Sequence, residues 1–312
     1  MDKRILITGT DGFVGKELKT HFLEKGFQVF GTTFFSEPSD GKEIQFDITN
    51  KEDLSKLWKN EKFDTIIHTI GLVDQMRSSK DLFAVNALGT KIMCEYAKSK
   101  SCNHFIFTSS VSVYGFKTLG ENRTECNTKR KFQRFFIAYG RSKARAEKYI
   151  EKSGLMYSIL RLPIVLGRDD TIISPSIIPR LQNGTIFTSG KKRTQISLLY
   201  VKNLGPVLER LIEVGPINQC ANCLSDTIFW DDLVKQFAFE MNVEYKPLQK
   251  NSLSYLFHSK DKNYQLISAF SARGAHYPGE LLAKYLNLRE VPYNWKYGVK
   301  EAVQGYLGKK KA

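Results

Sequence analysis

The sequence predicts an α/β protein built on a doubly wound parallel sheet, and three observations carry that prediction. Short apolar runs alternate with helical patterns over about the first 165 residues, the order that lays parallel strands between helices. The first run, Lys3 to Thr8, passes straight into the glycine-rich turn Gly9-Thr10-Asp11-Gly12-Phe13-Val14-Gly15 and then into a helical pattern. Beyond Gly167 the pattern loosens, with prolines at 175 and 179 and shorter, irregular elements. The expected division is a sheet domain over 1–167 and a smaller C-terminal α/β region over 168–312 that supplies a lid and a substrate pocket.

Taken in order, the elements support this reading. Strand, glycine-rich turn and helix are the context that a dinucleotide fingerprint requires. Gly9 permits the tight turn, Gly12 lets backbone approach a pyrophosphate, and Gly15 allows close helix-to-strand packing, with helix N–H groups facing the anion. A helix follows over Lys16 to Lys25, then a second strand over Gln28 to Thr33. No Asp or Glu ends that strand to hold a ribose 2′-hydroxyl; Thr32, Thr33 and Ser36 leave room for a 2′-phosphate, though no Arg stands beside them. NADP is therefore expected to bind at least as well as NAD. A third strand, Ile44 to Phe46, ends at Asp47-Ile48, where Asp47 either meets an adenine edge or caps a helix expected over Lys51 to Asn60. Strands are expected over Phe63 to Ile70, Asn103 to Ser109 and Met156 to Leu160, with one long helix over Lys80 to Lys100. Later helices are expected over Lys202 to Val214, Trp230 to Met241, Gly279 to Leu286 and Lys296 to Tyr306.

The chemistry concentrates at Tyr139-Gly140-Arg141-Ser142-Lys143, the start of another helix. Residues four apart share a helix face, and an ammonium beside a phenol favours the phenolate. Tyr139 is thus a candidate acid/base, with Lys143 expected to depress its pKa. Ser110, at the end of the fifth strand, brings a hydroxyl to the crevice where ligands of such sheets bind.

Composition narrows the rest. The net charge of +15 favours anionic partners. It is scattered apart from Lys129-Arg130-Lys131 with Arg134, and the tail Lys309-Lys310-Lys311. No run is long and apolar enough to span a membrane, and with a strand so near the N-terminus no signal peptide is expected. With an odd five cysteines, reduced thiols and a cytoplasmic location are expected. Cys220-Ala-Asn-Cys223 lacks a second pair to complete a zinc site and reads as buried strand or turn; no metal is expected.

With these residues laid out, the chain resembles the extended short-chain dehydrogenase/reductases of the NAD-dependent epimerase/dehydratase type, along nearly its whole length. Thr8-Gly-Thr-Asp-Gly-Phe-Val-Gly15 matches the family's TGxxGFxG. Asp47-Ile48 matches its adenine-side pair, Asn86 its helix asparagine, and Thr108-Ser-Ser-Val-Ser-Val-Tyr-Gly115 its serine strand. Tyr139 and Lys143 match YxxxK, and Arg161-Leu-Pro163 the strand beside the nicotinamide. The resemblance implies a Rossmann-type fold, NADP or NAD as cofactor, and a homodimer. It implies Ser110, Tyr139 and Lys143 as catalytic residues. Cofactor contacts would come from Gly9, Gly12, Phe13, Val14, Gly15, Asp47, Ile48, Thr69, Gly71, Asn86, Tyr139, Lys143 and Pro163.

The implied reaction is 4-epimerisation or 4-keto reduction of a nucleotide-diphosphate sugar, an anionic small molecule, with no nucleic-acid partner. A 4,6-dehydratase is disfavoured because Val111-Ser112 stands where that chemistry needs an acid pair. There are departures: His68-Thr-Ile-Gly71 replaces HxAA, and Ile196 stands where sugar-nucleotide enzymes often carry an Arg for the diphosphate. Arg193, or Arg130 and Arg134 of the basic segment, is the expected substitute, though a solvated loop explains that segment equally well. A hydroxysteroid-dehydrogenase-like activity, towards which Asn203 and Gly71-Leu-Val-Asp74 lean, and a non-catalytic cofactor-sensing regulator remain the alternatives.

Overall fold

The computed structural model describes residues 3–50, 52–73, 77–115, 138–188, 193–249, 271, 273–288 and 290–309. Its centre is a seven-stranded parallel sheet. The strands are β1 (Arg4–Thr8), β2 (Gln28–Thr33), β3 (Glu43–Gln45), β4 (Thr65–His68), β5 (His104–Ser110), β6 (Tyr157–Leu162) and β10 (Cys220–Asn222), in the order β10-β6-β5-β4-β1-β2-β3. The order reverses between β1 and β4, so the crevice of a doubly wound sheet opens beyond the ends of those strands.

Alternation along each strand builds two cores. Ile5 and Ile7 face α1 (Phe13–Glu24) and α6 (Leu204–Val214) through Leu18, Phe22, Leu204 and Leu208. Leu6, Ile66, Phe105 and Phe107 face α3 (Gly89–Ser99) and α4 (Ala138–Glu151) through Met93, Ala97, Ala146 and Ile150. Strands buried on both faces read as unbroken apolar runs, which is why these ones were legible in the sequence.

A third core holds the C-terminal region. Here β7 (Ile164–Leu166), β9 (Gln195–Tyr200) and β11 (Asp226–Phe229) make a small sheet. It packs with α5 (Ile173–Gln182), α7 (Trp230–Glu240) and α9 (Trp295–Lys309) through Ile177, Leu198, Trp230, Phe237 and Val299. β8 (Phe187–Thr188) pairs with β12 (Leu248–Gln249) beside it, and α8 (Glu280–Leu286) lies against β10 and α6. The stretch after residue 167 does not stay apart, because β10 completes the main sheet and α6 covers one of its faces.

Three local expectations are corrected. The helix expected over 51–60 is only a 3₁₀ turn, Asp53–Lys56. Its polar side chains bond nearby backbone instead: Asp53 accepts from the Asp47 N–H, Asn50 from Glu52, and Ser55 donates to the Glu52 carbonyl. The helix expected over 80–100 is broken into α2 (Ser79–Phe83), a π turn (Ala84–Leu88) and α3. The proline-bearing stretch around 175 is a full helix, α5. Asp170 accepts the N–H groups of Ile172, Ile173 and Ser174 at 2.8, 3.0 and 2.6 Å, and Pro175 falls in the first turn, where its missing N–H costs nothing.

Candidate active site

The C-terminal ends of the central strands open into one cleft of about 870 Å³. At one side α1 begins behind Gly12 with no side-chain cap and no acidic residue in its first turn, which leaves free N–H groups for an anion. A Cβ on Gly15 would overlap the Gly9 carbonyl oxygen and come within 2.9 Å of Thr69 Oγ1, so only glycine lets helix and turn meet this closely. The cradle fits a pyrophosphate.

Ser110, Tyr139 and Lys143 meet at the centre, all lining the cleft. Ser110 ends β5 and Tyr139 stands in the first turn of α4, where the two hydroxyls hydrogen-bond. Burial is the main influence on the Tyr139 phenol and pushes it up to about 12; the bond to Ser110 acts the other way. The Lys143 ammonium is brought down to about 7, chiefly by burial, against a smaller upward pull from Glu147. Its Nζ donates to the Thr108 carbonyl at 3.0 Å and lies 4.6 Å from the centre of the Phe107 ring. Lys143 is not among the groups that move the Tyr139 phenol, contrary to the expectation from spacing: without a ligand, burial outweighs the helical neighbour.

The support beneath these groups is dense. A Cβ on Gly71 would lie 2.9 Å from Lys143 Nζ, so glycine there leaves the ammonium its place. Asn86 is fully buried under the site rather than in it. It sits in the π turn, where its Oδ1 accepts from the Leu72 N–H at 2.7 Å while Nδ2 donates to the Leu72 carbonyl and Ser142 Oγ. It thus ties the segment after β4 to the start of α4. One turn past Lys143, Glu147 takes Nε and Nη2 of Arg161 at 2.9 and 2.8 Å and the Ser109 hydroxyl at 2.7 Å. Arg161 Nη1 continues to the Tyr114 hydroxyl, and that hydroxyl to Asn222. This buried network locks α4 against three strands.

Gly9, Gly12, Phe13, Val14, Asp47, Ile48, Thr69, Gly71 and Pro163 line the cleft alongside Ser110, Tyr139 and Lys143. Asp47 Oδ1 accepts from both N and Oγ1 of Thr49, a local turn rather than a helix cap. Asn86 and Arg193 are not lining residues: Arg193 Nη2 spans both oxygens of Asp232 at 2.8 Å, and its guanidinium lies 3.9 Å from the centre of the Phe229 ring. Ile196 is fully buried in the C-terminal core. Asp74, Arg130 and Arg134 lie outside the described residues. His68, which keeps the His of that pattern, is buried between Thr8 Oγ1 and Thr90 Oγ1 at 2.8 and 3.1 Å and stacks on Phe107; the departures fall on Ile70 and Gly71.

Sequence reasoning passed over four cleft residues. Asp11 lies beside the end of β2, Ser112 has a buried hydroxyl without a partner among the described residues, and Asp169 holds Lys16 and Lys309 at 3.1 and 3.4 Å. Tyr277 joins them from far along the chain. Only Asp11 left a signal, since a turn after β1 must lie beside the end of its neighbour β2.

Cys94, Cys102, Cys220 and Cys223 form no disulfide among the described residues, and Cys220 lies on β10, as expected for strand. Among the described residues no cluster of His, Cys, Asp or Glu is placed to hold a metal ion, and no helix is long and apolar enough to cross a membrane.

Comparison with known proteins agrees with this geometry. A 3-beta-hydroxysteroid dehydrogenase of Mycolicibacterium neoaurum is 29% identical over 219 residues, 64% of this chain and 58% of that protein. A UDP-glucose 4-epimerase of Pisum sativum is 30% identical over 133 residues, 36% of this chain and 38% of that one. The chain therefore spans about 58% and 38% of the length of these two relatives. The fold matches the crystal structure of the Bordetella bronchiseptica enzyme WbmH in complex with NAD+, with a TM-score of 0.74 over 99% of both chains at 18% identity. The sequence model of the NAD dependent epimerase/dehydratase family matches residues 5–218, more than half of the chain, and the protein belongs to that family, whose cofactor is a nicotinamide dinucleotide.

Proposed function

We propose that the protein epimerises or reduces a nucleotide-diphosphate sugar at C4, with Tyr139 as the acid/base. The observation that carries this reading is the hydroxyl pair Ser110–Tyr139, which with the buried Lys143 lines a cleft of about 870 Å³. Bound there, the nicotinamide supplies the hydride donor or acceptor. The chain does the rest. Tyr139 Oη gives a proton to the substrate oxygen as a carbonyl is reduced, and takes it back as a carbinol is oxidised. Ser110 Oγ hydrogen-bonds the same oxygen and steadies its developing charge. Lys143, one helical turn on from Tyr139, would hold the ribose hydroxyls.

Two further features support a sugar. Ser112 Oγ, buried in the same cleft and without a partner among the described residues, offers a contact for a second substrate hydroxyl. Val111-Ser112 carries no carboxylate, so the acid pair that eliminates water is missing. The similarity to a UDP-glucose 4-epimerase points the same way. Arg130 and Arg134 are proposed to take the diphosphate, since Arg193 is engaged by Asp232 and Ile196 is buried. The alternative, oxidation of a sterol-like alcohol, draws on the hydroxysteroid dehydrogenase relative and on apolar wall residues such as Ile172 and Ile173.

Calorimetry with UDP, GDP and dTDP separates the two. Binding of one of them at millimolar concentration or tighter is expected, whereas no binding together with sterol turnover would transfer the assignment. Mass spectrometry of the native protein then divides the sugar reactions: retained cofactor marks the epimerase, and an empty site marks the reductase.

A further inference from the structure

We propose that Asp11 sets the cofactor choice, selecting NAD over NADP by placing the protein's own carboxylate where a 2′-phosphate would sit. β1 and β2 are parallel neighbours, with Thr8 beside Thr32. The turn that follows β1 therefore lies against the residues that follow β2, the place of the adenosine ribose in a sheet of this kind. There Asp11 Oδ2 accepts three consecutive backbone N–H groups, from Phe34, Phe35 and Ser36, at 2.8, 2.7 and 3.2 Å. Successive N–H groups converging on one point form an anion nest. Such a nest is what a 2′-phosphate needs, and here a side chain of the same chain fills it.

The other carboxylate oxygen, Oδ1, has no hydrogen-bond partner among the described residues, and Asp11 lines the cleft. A ribose 2′-hydroxyl can donate to it. A phosphate cannot, and meets like charge instead. Nor does a cation offset that repulsion among the described residues. The basic residues lining the cleft are Lys16, Lys143 and Lys309. Lys16 and Lys309 pair with Asp169, and Lys143 donates to Thr108. Lys19, on the neighbouring face of α1, is spent on the buried carboxylate of Glu43 at 2.7 Å. The two residues after Thr33 are phenylalanines whose rings meet edge to face at 4.8 Å; they offer no side-chain donor. The acid that the end of β2 lacks in sequence is thus supplied by the glycine-rich turn.

The test is direct titration of the purified full chain with NADH and NADPH, followed by nicotinamide fluorescence. It rests on family membership and not on the sugar assignment, and it needs no turnover, so a failure here leaves that assignment untouched. NADH is expected to bind about tenfold tighter than NADPH or more. Asp11→Asn keeps an acceptor for the three N–H groups and removes the charge. It should bring the ratio down to about three or less, mainly by tightening NADPH. Asp11→Ser, which also removes the charge, repeats the measurement, with melting curves confirming that both variants fold. If the protein retains cofactor through purification, mass spectrometry of the released nucleotide reads the same choice. Equal or tighter binding of NADPH to the wild type, retained NADP, or an unchanged ratio in both folded variants would overturn the proposal.

Discussion

At the scale of single residues, the site trades charge for burial. Lys143 is 3% exposed and its ammonium titrates near 7, so much of the ligand-free protein carries a neutral amine there at neutral pH. In the unfolded chain the same group holds its proton up to about 10.4. Between these values the unfolded state binds more protons, and stability rises with pH. The ligand-free protein is therefore expected to melt higher at pH 8.5 than at pH 7, and Lys143→Met should flatten that slope. A slope identical in both proteins would contradict the assignment. The window stops at pH 8.5 because the buried thiols of Cys94, Cys102 and Cys223, raised to about 12, 11 and 12 by burial, act in the opposite direction above their ordinary value of 9.0.

At the scale of elements, what matters is how strand ends and the π turn hold the reacting groups. Gly71 follows β4 directly beneath Lys143. Gly71→Ala puts a methyl 2.9 Å from Nζ, and the flexible lysine, rather than the backbone, must move. We expect kcat to fall about tenfold to a hundredfold, the usual result of displacing a catalytic group by about an ångström. The melting temperature should change little, which steady-state kinetics and a melting curve together will check. Strands were the most legible elements. The reading of β2 as a strand over Gln28 to Thr33 coincides with the structure, where all but its first residue are buried. The π turn at Ala84–Leu88 was not legible. It exists because Asn86 must reach Leu72 and Ser142, contacts that depend on segments far apart in sequence. The same applies to the Glu147–Arg161 pair: its members were visible as residues of a helix and a strand, but their meeting is tertiary.

For the molecule as a whole, two of the three cores share the main sheet, which also buries ionisable groups, and this sets its response to acid. His104 is held neutral by burial, its pKa lowered to about 4, with Nε2 2.8 Å from Ser158 Oγ. His68 is lowered further, to about 3, first by burial and then by Lys143. In the unfolded chain both take up a proton near 6.5. Stability is therefore lost as pH falls from 6.5 towards 4, by an amount on the order of a few kcal/mol. His104→Gln, remote from the cleft, should show a shallower loss over that window in thermal melts at pH 7, 5.5 and 4.5. A loss as steep as that of the wild type would show that His104 does not contribute.

Fold class and the shared helix face of Tyr139 and Lys143 were legible because each rests on local spacing: a glycine turn between strand and helix, and a helical pair one turn apart. Asp11 was missed because the acid for the ribose was sought on β2 itself. Its role follows only from strand adjacency.

The central claim is that Tyr139 moves the proton in a redox step on a sugar carbon. The most direct measurement compares wild type and Tyr139→Phe in parallel, recording turnover of a UDP-, GDP- or dTDP-sugar that binds, and cofactor affinity by titration. The account predicts a fall in kcat of about a hundredfold or more with cofactor affinity nearly unchanged. Wild-type turnover in the phenylalanine variant would remove Tyr139 from the chemistry and contradict the account.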